Sequence, residues 1–509
     1  MKKILCLFII TILMNACSKD IISSNTQDFN NQDFNKDLTF ILANISDYTI
    51  ESWDDQSETR TTLSYDGNYS IVSWNTGDMI GATVRGNSAY SADNVKFSLI
   101  SGAFDPAGIT AGVFTSGLYS LNDNSIYRFY YPFNENAIID GKVIFNMPTQ
   151  IVTGSHSQEN NTVCDFMYSK DTITATSSQQ RLEGNHISEL DFFHATAAIT
   201  FSISLPVGET LYSFELRSAT GEDIFPHELA MSFDKSMEYS DFRPSVPLYI
   251  GKNGYTFTQN DEIFLGRILT LPVSFSEGKP IQFCIHTSEG FYVLNKTLRS
   301  LAANGSYPLS LDKALMTKET DNPPIILNDT LYIRNIANLK WVSDFSNDPN
   351  KTSNYISDKT FLNYTIMLVN NINIGSLNWI PINTFKGTFD GNGQSVDNIT
   401  IPTSTVSTGL GLFSVNDGGT IKNLTINGPS ISTRATNVGA IVGICNSGTI
   451  QNCHVNGGRV AGARNVGGIV GSLIANQTTF TNCTVTGTST TGASNSTGAY
   501  CGSPLMNSL

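Results

Sequence analysis

Residues 439–488 read GAIVGICNSGTIQNCHVNGGRVAGARNVGGIVGSLIANQTTFTNCTVTGT, and this stretch contains two copies of one pattern. Each copy has a short apolar core element followed by an element rich in Thr, Asn and Gly. The core elements along the chain are GLFS at Gly411, AIVG at Ala440, GIVG at Gly468 and AYCG at Ala499, and the second elements are TIKNLTINGP at Thr420, TIQNCHVNGG at Thr449 and TFTNCTVTGT at Thr479. Asn423, Asn452 and Asn482 occupy matching places and lie 29 and 30 residues apart. A unit this short cannot form its own core, so the pattern predicts a β-solenoid whose rungs bury one another's faces.

The composition of the whole chain favours an all-β protein. Only 15% of its 509 residues are charged, and the apolar stretches are short and β-branched or aromatic. This length suffices for about three domains. The net charge is −14 and no run of Lys or Arg follows residue 3. We therefore expect no nucleic-acid partner, because phosphate binding needs concentrated positive charge.

Strand candidates without intervening helices follow one another from residue 38 to residue 313. They include LTFILANI at Leu38, TTLSYDGNYSIVSW at Thr61, IYRFYYPF at Ile126, KVIFNM at Lys142, HATAAITFSISL at His194, LYSFELRS at Leu211, IQFCIHTS at Ile281 and FYVLNKTL at Phe291. Such a succession predicts antiparallel β-sandwiches. The block is too long for one small sandwich, and a polar segment divides it into residues 38–185 and 186–313. A Thr/Asn/Asp-rich linker, 314–330, leads to the repeat region at 331–509.

The N-terminus has the features of an exported protein. A basic tip precedes the apolar run ILCLFIITILM (residues 4–14), which is too short to span about 30 Å of hydrocarbon as a helix. Ala16-Cys17 resembles the end of a lipobox, which predicts a lipoprotein signal peptide at residues 1–16 and lipidation of Cys17. The alternative is that Cys17 is an ordinary residue of a cleaved signal. Residues 17–37 are polar and have little to bury, so they are predicted to form a flexible tether.

Five motifs occur in the order seen in fimbrillin-like proteins of Bacteroidales. They are WNTGDMIG at Trp74, MPTQ at Met147, DFMYS at Asp165, LDFFHATAAITFSI at Leu190 and ANGSYPLSL at Ala303. The resemblance covers residues 38–313 and implies two transthyretin-like, fimbrillin-like β-sandwich domains in a surface lipoprotein that serves as a pilus subunit or tip adhesin. In polymerising members of that family a protease cuts after an arginine that follows the first strand, and Arg60 lies in such a place. The alternative is that Arg60 is a solvated loop residue.

The segment WIPINTFKGTFDGNGQSVDNITI, residues 379–401, precedes the repeats. It resembles the lead-in to Gly-Leu-rich GLUG repeats, which form β-helix-like stalks in bacterial adhesins and in some immunoglobulin-cleaving proteases. The resemblance implies that residues 331–509 are a GLUG-type solenoid. The predicted fold is therefore all-β, with two sandwich domains followed by a β-helix-like repeat solenoid.

The sequence contains no recognisable catalytic, cofactor or metal site. Its six histidines include no HExxH pair, and no GxSxG stands between a strand and a helix, so we do not expect an enzyme. His194, in FFHATAAITF, is interpreted as a structural residue. Asp390, in FDGNG, is interpreted as part of a tight turn, because calcium would need several converging oxygens. Buried free thiols are expected. The alternative is a disulfide between two of Cys445, Cys453, Cys483 and Cys501.

These features predict a non-catalytic surface protein that needs no cofactor. We expect the lipid on Cys17 to hold it at the outer membrane, and the chain to act as an adhesin or fimbrial tip-like component. Its expected partners are glycoproteins or glycans on host or bacterial surfaces. Two alternatives remain: a polymerising pilus subunit processed at Arg60, with other fimbrial subunits as partners, and a glycan-binding accessory lipoprotein.

Overall fold

A computed structural model describes residues 39–46, 49–50, 74, 77–85, 94–105, 108–116, 125–152, 164–174, 181–182, 185–251, 253–351, 353, 356–402, 409–474, 477–492 and 496–503. The chain forms two compact units, one of residues 1–288 and 293–317 and the other of residues 289–292 and 318–509. Both units consist mainly of β-strands, as the composition predicts. In the described residues no helix has the length and apolar character needed to cross a bilayer.

Short strands follow one another through the first unit. They are β1 (Thr39–Ile45), β2 (Thr49–Ile50), β3 (Met79–Arg85), β4 (Val95–Asp105), β5 (Gly108–Thr115), β6 (Ile126–Tyr131), β7 (Ile138–Ile139), β8 (Lys142–Asn146), β9 (Gln150–Val152), β10 (Met167–Ser169), β11 (Ile173–Thr174), β12 (Arg181–Leu182), β13 (Asn185–His194), β14 (Ala197–Ile203), β15 (Thr210–Ser218), β16 (Phe225–Met231), β17 (Met237–Arg243), β18 (Ser245–Ile250), β19 (Tyr255–Thr256), β20 (Phe264–Thr270), β21 (Val273–Thr287), β22 (Gly290–Leu301), β23 (Gly305–Leu311) and, at its border, β24 (Thr317–Lys318). A 3₁₀ turn, Lys313–Leu315, precedes β24.

Four sheets organise these strands. Their orders are β1-β5-β4-β3-β6-β10-β13-β12 with β11 beside β6, β2-β23-β14-β20, β22-β21-β15-β18-β9 with β19 beside β15, and β17-β16-β8-β7. The nine-stranded sheet packs around Trp74, whose ring meets Phe114 and Phe192 edge-on at centroid distances of 4.9 and 5.7 Å. The Trp74 indole Nε1 also donates to the Ala43 carbonyl at 3.0 Å, so the buried ring keeps a polar partner.

Strand β1 lies inside the nine-stranded sheet rather than at its edge. It pairs antiparallel with β5, where Ile41 faces Phe114, and parallel with β13, where Ile41 faces Ser188. The side chains of Ile41 and Ala43 are fully buried. The first strand therefore supplies both a row of hydrogen bonds and a row of core side chains.

The sheets of the first unit cross the predicted division at residues 185/186. Strand β13 starts at Asn185 and pairs with β1, while β2 pairs with β23. Strands β8 and β9 precede the division but pair with β16 and β18, which follow it. The division into two sandwich domains stays a prediction, and these pairings show that the segments on its two sides share sheets.

The second unit consists almost entirely of very short strands. They are β25 (Ile325–Leu327), β26 (Thr330–Ile333), β27 (Thr365–Leu368), β28 (Ile372–Asn373), β29 (Ile382–Phe385), β30 (Thr388–Asp390), β31 (Ser395–Asp397), β32 (Thr400–Ile401), β33 (Phe413–Lys422), β34 (Thr425–Asn427), β35 (Ser430–Ser432), β36 (Thr436–Val438), β37 (Val442–Gln451), β38 (His454–Asn456), β39 (Arg459–Ala461), β40 (Arg464–Gly467), β41 (Val470–Leu473), β42 (Thr478–Thr481), β43 (Thr484–Thr486), β44 (Ser489–Thr491), β45 (Thr497–Gly498) and β46 (Cys501–Ser503).

Equivalent strands of successive repeats pair in parallel and build four sheets. The orders are β25-β26-β27-β30-β33-β37-β41-β46 with β29 beside β33 and β42 beside β37, β28-β31-β34-β38-β43, β32-β35-β39-β44, and β36-β40-β45. Val442 pairs with Val470 and Val470 with Cys501, the alignment that the repeated sequence predicts. We call this arrangement the parallel stack, and each turn of the chain through its sheets a rung.

Like residues lie above one another in the core of the parallel stack. Ile421 and Ile450 are fully buried neighbours on adjacent strands, and Ile431 and Val460 repeat the relationship in another sheet. Each rung thus covers the apolar face of the next, which explains why a unit of about 29 residues is stable only in an array.

The second unit begins with a hairpin and a helix, neither of which is among the elements predicted from the sequence. Strands β25 and β26 form a hairpin across Asn328 and Asp329, both at positive φ (49° and 57°), so the predicted linker 314–330 already contains a strand. Helix α1 (Ile336–Asn347) follows. Its cap residue, Asn335, accepts a hydrogen bond from the Asn338 amide, and its buried face joins the core of the stack.

Candidate functional site

The two residues predicted to be modified near the N-terminus, one by lipidation and one by proteolysis, lie outside the described residues. Cys17 belongs to the predicted signal and tether, and Arg60 belongs to the segment SETRTT. Lipidation at the first and proteolytic processing at the second stay predictions. The described residues show instead what surrounds the histidines, the cysteines and the repeated asparagines.

His194 lies in a fully buried polar cluster at the end of β13. Its Nδ1 is 2.7 Å from Oδ1 of Asp165, and its Nε2 is 2.9 Å from the carbonyl oxygen of Ser46. The hydroxyl of Thr196 donates to the same Asp165 oxygen at 3.1 Å. Because Ser46 directly follows β1, the imidazole joins the end of the first strand to the core. Neither side chain of this His–Asp pair has exposed surface.

Metal binding finds no support in the described part of the chain, where no group of three or more His, Cys, Asp or Glu side chains converges. Asp390 accepts hydrogen bonds from the Asn392 amide at 2.8 Å and from Nδ2 of Asn423 at 3.0 Å. Burial alone would raise the pKa of Asp390, but these hydrogen bonds and the nearby Lys422 ammonium lower it overall. The carboxylate is thus occupied by its own turn and the adjacent rung.

The six cysteines of the described residues are free and buried: Cys164, Cys284, Cys445, Cys453, Cys483 and Cys501. Cys453 and Cys483 follow equivalent asparagines in adjacent rungs, and each thiol donates to a backbone carbonyl oxygen, Cys453 to Gln451 at 3.2 Å and Cys483 to Ile450 at 3.4 Å. The neighbouring Cys453 thiol lowers the pKa of Cys483, although burial opposes the shift, while the same proximity raises the pKa of Cys453. Burial raises the pKa of Cys501 to about 11, which leaves it unreactive.

Asparagine side chains form a continuous hydrogen-bonded ladder along the stack. Asn482 donates through Nδ2 to Oδ1 of Asn452 at 2.8 Å, and Asn452 donates to Asn423 at 2.9 Å. Asn423 donates in turn to Asp390, so the ladder ends on a carboxylate. The three asparagines have φ of 52–54°, the left-handed region that Asn tolerates better than other side chains except Gly. Asparagine therefore serves both the turn and the contact between rungs.

A second ladder runs along the next corner. Asn456 donates to Oδ1 of Asn427 at 3.2 Å, and Asn427 donates to Oδ1 of Asp397 at 2.8 Å. This ladder also ends on a carboxylate of an early rung. In both ladders the amide of each later rung donates to the rung before it. These side-chain hydrogen bonds fix the register of the rungs.

The outward positions of the later rungs carry mainly hydroxyl groups. Thr425, His454 and Thr484 are in register on three adjacent strands, and Nδ1 of His454 is 2.8 Å from the Thr484 hydroxyl. Ser430 and Ser489 flank the next row on both sides of Arg459. Since adjacent strands lie about 4.8 Å apart, the stack presents hydrogen-bonding groups at regular short intervals. These rows, half-buried at Thr425 and His454 and exposed at the other positions, are the candidate contact surface.

No family model matches the chain. A segment of 94 residues, 18% of the chain, is 39% identical to Halomucin of Haloquadratum walsbyi, and it corresponds to 1% of that protein. The chain thus spans a very small part of the length of this curated relative.

Several solved structures of Bacteroidales cell adhesion and fimbrial proteins are similar to part of the chain. A protein of Bacteroides ovatus described as a "putative cell adhesion protein" matches 56% of this chain and 95% of its own, with 12% identity and a TM-score of 0.33. A fimbrial protein of Bacteroides ovatus matches 55% of this chain and 50% of its own, with 15% identity and a TM-score of 0.27. A fimbrial assembly protein of Parabacteroides distasonis matches 56% and 96%, with 9% identity and a TM-score of 0.28. At these sequence identities and TM-scores, the similarity carries no functional argument, and the function has to be inferred from the residues of this chain.

Proposed function

We propose that the chain is a non-catalytic cell-surface lipoprotein, anchored in the outer membrane through Cys17 and acting as an adhesin or fimbrial tip-like component. In this proposal residues 38–185 and 186–313 are sandwich domains, and residues 331–509 are a β-solenoid that carries the contact surface. Its partners are glycoproteins or glycans on a host or bacterial surface.

The observation that carries the proposal is the repetition of polar rows on the parallel stack. Three in-register positions, at Thr425, His454 and Thr484, place similar hydrogen-bonding groups on successive rungs. Individually such exposed contacts are weak, but simultaneous engagement of several rungs raises the effective affinity strongly. The buried His194–Asp165 pair offers no accessible chemistry, which supports a binding role over a catalytic one.

Surface display and adhesion test this proposal together. Bacterial cells producing the full chain should carry an acylated protein that external protease removes, and they should attach to immobilised surface glycoproteins. The Cys17→Ser variant should lose the lipid and the attachment, whereas Cys6→Ser, a matched change inside the apolar run of the signal, should retain both. An acylated, surface-exposed protein that confers no attachment would contradict the adhesive role. Retention of the protein inside the cell would contradict the localisation.

A second candidate function is that of a polymerising pilus subunit processed at Arg60, and the position of β1 favours it. Cleavage after Arg60 would remove β1 from between β5 and β13. The hydrogen-bonding edges of both neighbours would open, and the core row that Ile41 and Ala43 fill would be vacated. A strand from another subunit can restore such a groove.

Limited proteolysis distinguishes this candidate from the first. An arginine-specific protease should release the N-terminus and produce SDS-resistant ladders from the wild-type chain, while Arg60→Ala should give neither. Arg299→Ala, an exposed arginine elsewhere in the same unit, is the matched control and should behave as wild type. Cleavage without any polymer would argue against the pilus subunit. Tight binding of a single defined glycan by the uncut chain would favour the accessory lipoprotein instead.

A further inference from the structure

The later rungs of the parallel stack carry a charge opposite to that of the whole chain. The net charge of the protein is −14, yet the sequence from Gly418 to Leu509 contains no aspartate or glutamate. The same stretch contains Lys422, Arg434, Arg459 and Arg464. All the aspartate and glutamate residues of the given sequence therefore lie before it, and the charged side chains of these later rungs are cationic.

Three of these cations lie on two successive rungs, in or within a few residues of one pair of stacked turns. Arg459 lies in β39 and Arg464 in β40, while Arg434 lies in the turn between β35 and β36, the equivalent strands of the preceding rung. The two turns are stacked, because the Ala463 amide donates to the Ala435 carbonyl at 2.8 Å. All three arginine side chains are exposed. We call Arg434, Arg459 and Arg464 the arginine corner.

The arginine corner differs from the cations of earlier rungs in lacking neutralisation. Lys386 lies 3.2 Å from a carboxylate oxygen of Asp417, and Lys422 lies 3.3 Å from one of Asp390. Within the described residues none of the three arginines makes an ion pair, and their own stretch of sequence offers no carboxylate. Three exposed, unneutralised guanidinium groups on two adjacent rungs therefore produce a local positive field.

The neighbours of the arginine corner are neutral hydrogen-bonding side chains. Arg459 is in register between Ser430 and Ser489, and Arg464 is in register with Thr436. A guanidinium group presents a planar fork of donors that fits carboxylate and sulfate groups. Hydroxyl side chains beside it suit the hydroxyl groups of sugars.

We propose that the arginine corner is a binding site for an anionic polysaccharide, one that bears carboxylate or sulfate groups. The inference rests on the proposed adhesive function, for which it names the class of ligand. Nucleic acid is a poorer fit, since Phe480 and Tyr500 are the sole aromatic residues after Gly418 and single-stranded bases need aromatic side chains to stack on. Binding through exposed charges weakens as salt rises, because counterions screen such contacts.

Binding of defined polysaccharides to the full chain tests the proposal. Purified wild-type protein should bind dextran sulfate or polygalacturonate in biolayer interferometry, should ignore neutral dextran, and should bind less tightly as sodium chloride is raised. The triple variant Arg434→Ala/Arg459→Ala/Arg464→Ala should bind about 100-fold more weakly, since each exposed ion pair contributes up to about fivefold. Arg459→Lys should bind more weakly than wild type, because the charge stays while the fork is lost.

A matched triple variant controls for net charge. Arg243→Ala/Lys279→Ala/Arg299→Ala removes the same charge from side chains of the first unit, and it should bind the polyanions as wild type does. Equal losses in both triple variants, or no loss in the first, would overturn the arginine corner as the site. If the first triple variant does not fold, Arg459→Gln replaces it, with unchanged binding again overturning the site. Duplex DNA bound as tightly as the polysaccharides would overturn the ligand class.

The proposed function and this inference fail in different ways. If cells attach to glycoproteins although the purified chain binds neither polyanion, the inference is wrong and the adhesive function stands. If the purified chain binds a polyanion through the arginine corner but cells never attach, the ligand site stands and the adhesive function is wrong.

Discussion

Replacing Asn452 by alanine removes the middle of the first asparagine ladder. Asn452 donates to Asn423 at 2.9 Å and accepts from Asn482 at 2.8 Å, so two side-chain hydrogen bonds are lost at about 1 kcal/mol each. Its φ of 53° lies in the left-handed region, where alanine costs roughly another 1 kcal/mol. We therefore expect Asn452→Ala to lower the stability of the stack by about 3 kcal/mol.

Two matched variants separate these contributions. Asn452→Gly loses the same hydrogen bonds but accepts the positive φ, so it should be about 0.5–1 kcal/mol less damaging than alanine, after allowing for the entropy of glycine in the unfolded chain. Asn482→Ala has the same backbone strain (φ 52°) but loses only the hydrogen bond that it donates. It should cost about 1 kcal/mol less than Asn452→Ala.

Native-state hydrogen exchange of the full chain, resolved by mass spectrometry, measures these differences locally. Amides within β37 and β38 should exchange about 100-fold faster in Asn452→Ala, since about 1.4 kcal/mol corresponds to a factor of ten. Exchange in the first unit, for example in β14, should not change. Equal acceleration by Asn452→Ala and Asn482→Ala would refute the reasoning, because the ladder would then contribute nothing beyond the backbone turn.

Three further predictions concern single side chains. His194→Ala leaves the buried carboxylate of Asp165 without its imidazole partner. It should therefore lower the free energy of unfolding by about 3–5 kcal/mol in urea titrations of the full chain. A loss under about 1 kcal/mol would contradict the role of His194 in joining the end of β1 to the core. The hydrogen bond from Tyr255 lowers the pKa of Glu262 to about 2. The stability that the ionised Glu262 carboxylate contributes is therefore complete above pH 4.5 and is lost as pH falls toward 2. Glu262→Gln should flatten the loss of thermal stability across that window, and an unchanged acid profile would contradict this. Native alkylation by iodoacetamide at pH 8 should label Cys483 before the other cysteines of the described residues, and Cys453→Ala should slow that labelling; mass spectrometry showing Cys501 labelled first would disprove it.

The repeat region was largely predictable because each structural repeat corresponds to one repeat of the sequence. The alignment of Val442, Val470 and Cys501 follows from matching apolar core elements, and the parallel pairing reproduces it. The asparagine ladders were missed, although the recurrence of Asn423, Asn452 and Asn482 was visible. The spacing of these asparagines is visible in the sequence, but only the parallel stacking of rungs brings their amides within hydrogen-bonding distance.

Helix α1 was also missed, because it is short and contains only one Ala, one Leu and one Lys, and no Glu, of the residues that mark most helices. A signal existed in the cap residue Asn335 and in the spacing of Leu339, Val342 and Phe345, which places them on one face. The crowded aromatic residues around this face could have been assigned equally well to strands.

The pairings of the first unit were the least predictable part of the fold. The individual strands at Ile126, Leu211 and Phe291 start close to where the sequence places them. Their partners are set by long-range packing, which periodicity does not encode. The pairing of β8 with β16 and of β9 with β18 therefore could not be read from the chain. The arginine corner shows the same limit: the turn that contains Arg434 lies beside the turn between Arg459 and Arg464 only when the rungs stack.

The direction of the hydrogen bonds in the parallel stack gives it a distinctive response to mechanical load. Equivalent strands of successive rungs, such as β34 and β38, are joined by hydrogen bonds that run along the stacking direction. Tension along that direction loads these bonds one rung after another, rather than shearing many at once. A rung of 29 residues has a height of about 4.8 Å, yet its released chain spans about 100 Å when extended. Under tension, a surface protein that contains this stack would lengthen stepwise and would remain attached while the force dissipates.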